Sequence, residues 1–446
     1  MQFDAQYYFK DSLIGAPEIP EKVLSNGFIN FVYDKDNFSA GVRYESYLNP
    51  ISGFDNRYQG SGIPFRYLTY RNGELEMTAG NFYEQFGSGL IFRSYEERGL
   101  GYDNALDGFR IKYKPYAGVY FKGVLGRQRS FFQTGEGIVR GFDGEWNINE
   151  SFTSRAAAKT QWLIGGSFVS KYQKDQDPTY NLPLNVGASS ARISMNSGGW
   201  SLSSEYAYKI NDPSTSNGFI YKEGQALLVN AGYTRKGLGI TLGAKRIDNM
   251  GYRSDRYSVG NTLIINYLPA LTKNHTYILS ALYPYATQPN GEFGFQGEVF
   301  YNFKAGTLFG GKYGTDLTVN YSRAQSIEKT AIDTTGNPDA ADLGYKSDFF
   351  ALGKEIYFED FNIEINHKLS KKLRMILTLM YQNYNKDVVE GRTGFGHVYS
   401  NIVILELNYR ITPTKNFRTE IQHMSTKQDQ QSWAVLLAEY SIAPHW

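Results

Sequence analysis

The stretch Phe361–Arg410 constrains the fold more than any other part of the chain. Phe361, Ile363 and Ile365 alternate with Asn362, Glu364 and Asn366. After a Lys368-Leu369-Ser370-Lys371 turn, Leu373, Met375, Leu377, Leu379 and Tyr381 line one face against Arg374, Thr378 and Gln382 on the other. Val403, Leu405, Leu407, Tyr409 and Ile411 then alternate with Glu406, Asn408 and Arg410. Successive side chains of a strand point to opposite faces, so this is strand periodicity and not helical periodicity. Strand after strand repeats the contrast, and no second set of apolar elements is present to cover the apolar side. A closed sheet with an apolar outside and a wet inside satisfies such a pattern, and a bilayer is the solvent that demands it.

The same punctuation runs along the whole chain. Asn72-Gly73 joins two strand-like runs as a tight hairpin, because both residues tolerate positive φ. Similar short turns lie at Asp34-Lys35-Asp36, Lys114-Pro115-Tyr116, Ser197-Gly198-Gly199, Arg235-Lys236-Gly237 and Pro413-Thr414-Lys415. Between the hairpins sit longer polar pieces, among them Leu48–Gly62, Tyr83–Asn104, Gln173–Pro183, Asn211–Glu223, Asp248–Val259, Ala324–Asp348 and Lys386–His397. Asn261–Leu268 and His275–Tyr283 read as one further hairpin around Pro269. Short turns at one end and long loops at the other are the layout of a bacterial outer-membrane barrel.

The expected fold is therefore all-β: a transmembrane antiparallel up-and-down β-barrel of about 20–22 strands, without a separate plug domain. It fills residues 1–446 as one domain, with residues 1–26 as an N-terminal strand and lead-in. A soluble propeller or β-helix would show a repeat of fixed length, and none is present.

Composition agrees. Apolar residues make up 41% and charged residues 20%, yet no run approaches the roughly 18 apolar residues of a membrane helix. Gly 46, Tyr 36 and Phe 29 are the high counts. Glycine serves turns, while Tyr and Phe suit strands and the aromatic girdles of membrane barrels. A net charge of +2 gives no reason for a nucleic-acid partner, and zero cysteines removes disulfides and thiolate chemistry. Met1-Gln2-Phe3-Asp4 lacks the basic start and apolar core of a signal peptide. A barrel exported to the outer membrane implies such a signal outside this numbering, and the turn-like Ala443-Pro444-His445-Trp446 reads as a chain that continues.

A barrel of this size is roughly 40 Å wide and needs a filler. Residues 83–108 are the candidate occluding loop, with Arg93, Glu96, Glu97, Arg98, Asp103 and Asp107 as its charges. Mixed charge with glycines suits a compact, self-paired insert; a plain surface loop is the alternative. Gly87-Ser88-Gly89 is too short to count as a phosphate cradle. Candidate lumen-lining residues carry both signs: Arg43 with Glu45, Glu364 near Arg374, and Glu406 and Arg410 near Arg418 and Glu420. A single-sign ladder would indicate a selective pore, whereas this mixture indicates a balanced or filled one.

Asn81–Leu90, Arg93–Glu96, Gly101–Ala105, Tyr283–Glu292 and Gly310–Thr315 resemble an uncharacterised outer-membrane barrel family of Bacteroidota. The resemblance covers nearly the whole chain. It implies fold and location, and carries no activity or functional residues to transfer.

Enzymatic tools are not evident. His275, His367, His397, His423 and His445 are isolated, without metal-like spacing. There is no Gly-x-Ser-x-Gly elbow. Asp333, Asn337, Asp339 and Asp342 lack EF-hand placement and read as a solvated acidic loop. The expectation is a non-enzymatic barrel with no catalytic or metal site and no cofactor. Its partners are outer-membrane lipid and other outer-membrane proteins or lipoproteins. Two roles follow: a structural or docking subunit of a larger outer-membrane or secretion assembly, or a diffusion channel for small solutes narrowed by the 83–108 loop.

Overall fold

The computed structural model describes residues 1–12, 18–19, 21–155, 157–332 and 342–443, without the side chain of Thr153. Asp333, Asn337, Asp339 and His445 lie outside the described residues. Twenty antiparallel strands form one sheet in chain order. They are β1 Gln2–Tyr7, β2 Val23–Lys35, β3 Phe38–Leu48, β4 Gly60–Asn72, β5 Leu75–Phe82, β6 Leu106–Tyr116 and β7 Val119–Ser130. Next come β8 Gln133–Asn147, β9 Thr160–Tyr172, β10 Asn185–Ser197, β11 Trp200–Lys209, β12 Gly224–Arg235 and β13 Leu238–Asp248. The last are β14 Glu292–Phe303, β15 Thr315–Ile327, β16 Leu352–Lys368, β17 Leu373–Asn385, β18 His397–Thr412, β19 Lys415–Ser425 and β20 Trp433–Ile442.

Each strand pairs with its neighbour in sequence, so the topology is up-and-down throughout. The Asn72-Gly73 hairpin forms as the sequence requires, with Gly73 at φ +54° and Asn72 opposite Leu75. At one end the connections are turns or modest loops (for example 36–37, 198–199, 369–372 and 413–414). At the other lie 8–22, 49–59, 83–105, 173–184, 210–223, 249–291, 328–351 and 386–396. Among the described residues no helix is long and apolar enough to cross a membrane; the two α-helices are single turns, Ile148–Ser151 and Lys386–Glu390.

The two faces of the sheet follow the alternation. In β16–β19, Phe361 opposes Tyr381 and Leu379 opposes Val403 on the outside, each 37–45% exposed. Asn362, Gln382, Ser400 and Glu420 face inward and are at most 3% exposed. A strand such as β17, with 13 residues, is about 43 Å long, and tilted by about 45° it crosses roughly 30 Å, the thickness of a bilayer core. The fold is an up-and-down β-barrel with an apolar outer surface and a packed interior.

The expected hairpin at Asn261–Leu268 and His275–Tyr283 is absent. Twenty of the expected strands form; this pair instead belongs to a long segment, 249–291, that enters the lumen. Leu263 stands at φ +54°, which breaks an extended strand. Ala281 donates to the Tyr277 carbonyl at 3.0 Å, a helical turn within the second half of the expected hairpin.

Candidate functional site

The interior of this barrel is divided along its axis. Toward the long-loop end, inward positions that would face water in an open pore carry Val139, Val169, Val186, Ala188, Ala207, Ala226, Leu228 and Ile247, all buried. An apolar inner wall needs an apolar filler, and two inserts supply it. Phe86, Leu90, Ile91 and Phe92 of the 83–105 insert pack on this wall together with Met250, Tyr252 and Ile265 of the 249–291 insert. Farther round, Leu279 and Tyr283 of the second insert pack against Phe358, Met380, Tyr384, Ile402, Ile404 and Met424 of β16–β19.

The inserts are also bonded to each other. Arg93 donates its backbone N–H to the Ile265 carbonyl and Tyr267 its own to Gly89, each at 2.8 Å. Asn266 Nδ2 donates to the carbonyls of Leu90 (3.2 Å) and Met250 (2.8 Å). The Arg93 guanidinium lies between the rings of Tyr95 and Tyr267, 4.1 and 4.2 Å from their centroids.

Charge fastens the first insert to the wall. Arg43 reaches Glu45 (2.6 Å), Glu96 (2.9 Å) and Asp103 (2.7 Å). Arg129 reaches Glu45 (2.5 Å) and Asp103 (2.6 Å), and Arg98 reaches Glu96 (2.9 Å). The three arginines Arg43, Arg98 and Arg129 thus balance the three carboxylates Glu45, Glu96 and Asp103. Tyr83 completes the cluster by donating to Asp103 at 3.0 Å, and burial pushes its phenol well above the ordinary tyrosine value. Glu84 sits between Lys112 and Lys122, both at 3.0 Å. Burial alone would raise its carboxyl; Lys122 and Lys112 outweigh burial and hold it below the ordinary value.

The Gly87-Ser88-Gly89 turn does cradle an anion, one of the chain's own. Glu205 on β11 accepts from both the N–H and the hydroxyl of Ser88, each at 2.7 Å. Gly87 adopts φ +52°, and a Cβ there would lie 2.6 Å from Glu205 Oε2, so the turn needs glycine for conformation and for space.

The second insert is fastened mainly by neutral donors. Tyr277 donates to Glu406 (3.1 Å), Tyr283 to Asp429 (3.0 Å) and Tyr285 to Glu292 (2.6 Å). Leu279 N–H donates to Gln422 Oε1 at 2.9 Å, and the His275 imidazole meets Asp360 at 2.6 Å. Lys273 reaches Asn362 at 3.3 Å.

Most residues singled out in the sequence fall inside the barrel, with several corrections. Arg43, Glu45, Glu96 and Asp103 meet in one buried cluster. Arg93 stacks between tyrosines, Arg98 lies over the Phe28 ring at 4.8 Å, and Glu97 is exposed. Asp107 is not in the occluding insert. The chain has entered β6 at Leu106, and Asp107 pairs with Arg66 (3.3 Å) on the face opposite the buried Leu106. Glu406 and Glu420 oppose each other and share Arg418. Arg410 donates to the Lys371 carbonyl at 3.3 Å near the short-turn rim and does not join them. Arg374 bonds Asn366 (2.7 Å), not Glu364.

Sequence reasoning did not single out Arg129, Arg192, Glu205 or the buried Lys171–Asp212 pair (2.8 Å). The signal was available for Arg192, Glu205 and Lys171, charged residues at inward positions of alternating strands; Arg129 follows a register shift and Asp212 lies in the 210–223 connection, so alternation does not mark them. Among the described residues no group of three His, Cys, Asp or Glu side chains is placed to hold a metal ion.

Solved structures resemble the chain in fold at low similarity. The capsule-assembly protein Wzi of Escherichia coli, a carbohydrate-binding β-barrel, is 10% identical with a TM-score of 0.34, covering 98% of this chain and 82% of its own. The outer-membrane protein OpdK of Pseudomonas aeruginosa is 11% identical with a TM-score of 0.40, over 93% and 94%. A mutant of the P. aeruginosa ferric enterobactin receptor PfeA is 12% identical with a TM-score of 0.43, over 93% and 69%. No curated protein matches the chain by sequence. A family model matches residues 1–446, and the chain belongs to that family, a family of unknown function designated DUF6029.

Proposed function

We propose that this chain is a non-enzymatic barrel of the bacterial outer membrane, in the Bacteroidota as the sequence resemblance implies, and that it works as a sealed structural or docking subunit. The observation that carries the reading is the filler. Both inserts pack on the inner wall through continuous apolar clusters, and buried ion pairs close the remaining interface. This packing supports a lumen sealed at the long-loop end, with the work of the molecule at its rims. Large apolar side chains exposed there, Leu308 and Phe309 at one end and Phe350 at the other, support docking to a neighbouring outer-membrane protein or lipoprotein. The outer face of the strands supports lipid as the surrounding medium. Because the chain supplies its own filler, a partner is not needed to occlude it, and docking rests on the rims alone.

The test is conductance of the purified chain in planar bilayers, paired with extraction in mild detergent. A folded, inserted barrel that stays silent and co-purifies with stoichiometric partners is the expected result. Steady openings of porin size would overturn it in favour of a solute channel. One observation favours that second reading: the short-turn half of the lumen between β10 and β14 is lined by Asn196, Ser201, Thr241 and Gln296, which suit passage of small polar solutes up to the inserts.

A further inference from the structure

Arg192 on β10 and Glu205 on β11 are direct cross-strand partners on the inward face. Side chains so placed, with Cβ atoms about 5 Å apart, ordinarily pair. Here they diverge. Arg192 turns to Asp143 (2.9 Å) and Glu145 (3.1 Å), and donates to Ser167 at 2.9 Å. Glu205 turns to Ser88 of the first insert. Between them lies a cavity of ≈ 260 Å³ lined by Ser194, Ser203, Asn230, Glu145, Arg192 and Glu205, among others. Glu205 is 4% exposed, and its Oε1 has no hydrogen-bond partner in the protein.

The sign of the site follows from a count. Of the charged residues that line the cavity, Arg192 supplies one guanidinium and Glu145 and Glu205 two carboxylates, which leaves a net charge of −1. Such a cavity repels anions and leaves a neutral polyol with nothing to neutralise. It attracts a cation, and the acceptor without a partner calls for a cation that carries N–H donors. The aromatic cage that holds quaternary ammonium groups is absent from the lining. A second cavity of ≈ 370 Å³ shares Ser194, Ser203 and Asn230 with the first and continues along Asn196, Ser201 and Thr241 toward the Ser197–Trp200 turn. This approach is neutral and hydroxyl-rich, suited to a short polar or aliphatic body.

We propose that the Arg192–Glu205 cavity binds a small primary amine, entering from the short-turn mouth, with its ammonium on Glu205 and its body along the serine- and asparagine-lined wall. The site goes beyond the sealed-barrel reading, because it lies on the short-turn side of the filler and needs no passage through it.

Calorimetric titration of the intact barrel in neutral detergent with putrescine tests the assignment. Putrescine should bind, and Glu205→Gln should weaken binding at least tenfold. Ser88→Ala, which removes a competing donor and leaves the carboxylate, should bind as well as the parent or better. Three results would overturn the proposal: 1,4-butanediol binding as tightly as putrescine, unchanged binding in Glu205→Gln, or magnesium displacing putrescine at equal or lower concentration. If Glu205→Gln does not fold, Asn230→Leu fills the cavity while keeping the carboxylate. Binding lost in that variant supports the site, and binding retained sinks it.

Discussion

The insert at 83–105 is fastened to the wall chiefly by arginines paired with carboxylates, whereas the insert at 249–291 is fastened by phenols, amides, one imidazole and the lysines Lys209, Lys245 and Lys273, which donate to neutral oxygens. Both bury apolar side chains against an apolar inner wall, built of small residues in the first case and large ones in the second, so burial as such does not distinguish them. The fastening does. A buried ion pair demands its partner, because a lone charge left in the interior is far more costly than a lone hydroxyl. The first insert is therefore held in one geometry by a few residues with large individual effects. The second is held by many contacts with small ones.

Removing the second insert is the strongest way to break this comparison. Replacing residues 252–287 by a short Gly-Ser link should give steady conductance where the sealed-barrel proposal expects the parent to give none. The first insert alone fills one side of the lumen and loses its bonds to Ile265 and Tyr267. A silent deletion variant that is folded would mean that the 83–105 insert seals the lumen unaided.

Single substitutions come next. Arg129→Ala leaves Arg43 alone between Glu45 and Asp103, with one buried negative charge in excess, and should cost about 3–5 kcal/mol, read as a lowered unfolding midpoint in detergent. The apolar anchors should behave alike in the two inserts. Ile91→Ala and Leu279→Ala should each cost about 2–5 kcal/mol, and a clear difference between them would show that the clusters are not equally packed.

Acid should separate the inserts by sign. The Glu84 carboxyl is held below its ordinary value of 4.5, so its contribution is fully present above that value in the folded state. It is lost as pH falls through the depressed folded value. Amide protection factors in 84–104 should accordingly fall on acidification before those in 277–285, whose phenols stay protonated donors to Glu406, Asp429 and Glu292. Equal loosening would remove the distinction. The smallest effect is expected for Tyr283→Phe, which deletes one hydrogen bond to Asp429 at about 1 kcal/mol.

The same difference decided what the sequence revealed. The first insert was legible because its charges and glycines interrupt the period-two pattern around Tyr83–Asn104. The second was not, because Asn261–Leu268 keeps that pattern. Its backbone is indeed extended in part, since Ile265 and Tyr267 make ladder-like bonds, but to Arg93 and Gly89 of the other insert and not to a wall strand. Periodicity reports an extended chain with two unlike faces; it does not say which neighbour completes the hydrogen bonds. The twenty wall strands were legible for the converse reason, as each has a neighbour at fixed hairpin distance. The apolar inner positions were a missed clue. Val139, Val169, Val186 and Ala188 make the inner face apolar at the long-loop ends of β8–β10, and an apolar inner face needs cover.

The bonds between the inserts also impose an order in time. Gly89, Leu90 and Arg93 wait for partners at 265–267, with Leu90 and Asn266 separated by 176 positions. Contacts so distant in sequence form late and slowly. Every strand from β6 to β13 lies between these partners in the chain, so the first insert stays half-partnered until residues beyond β13 are in place. Until the second insert is in place the apolar tip Phe86–Phe92 lacks its cover from Met250, Tyr252 and Ile265, so a partly assembled barrel carries an aggregation-prone surface inside its own wall.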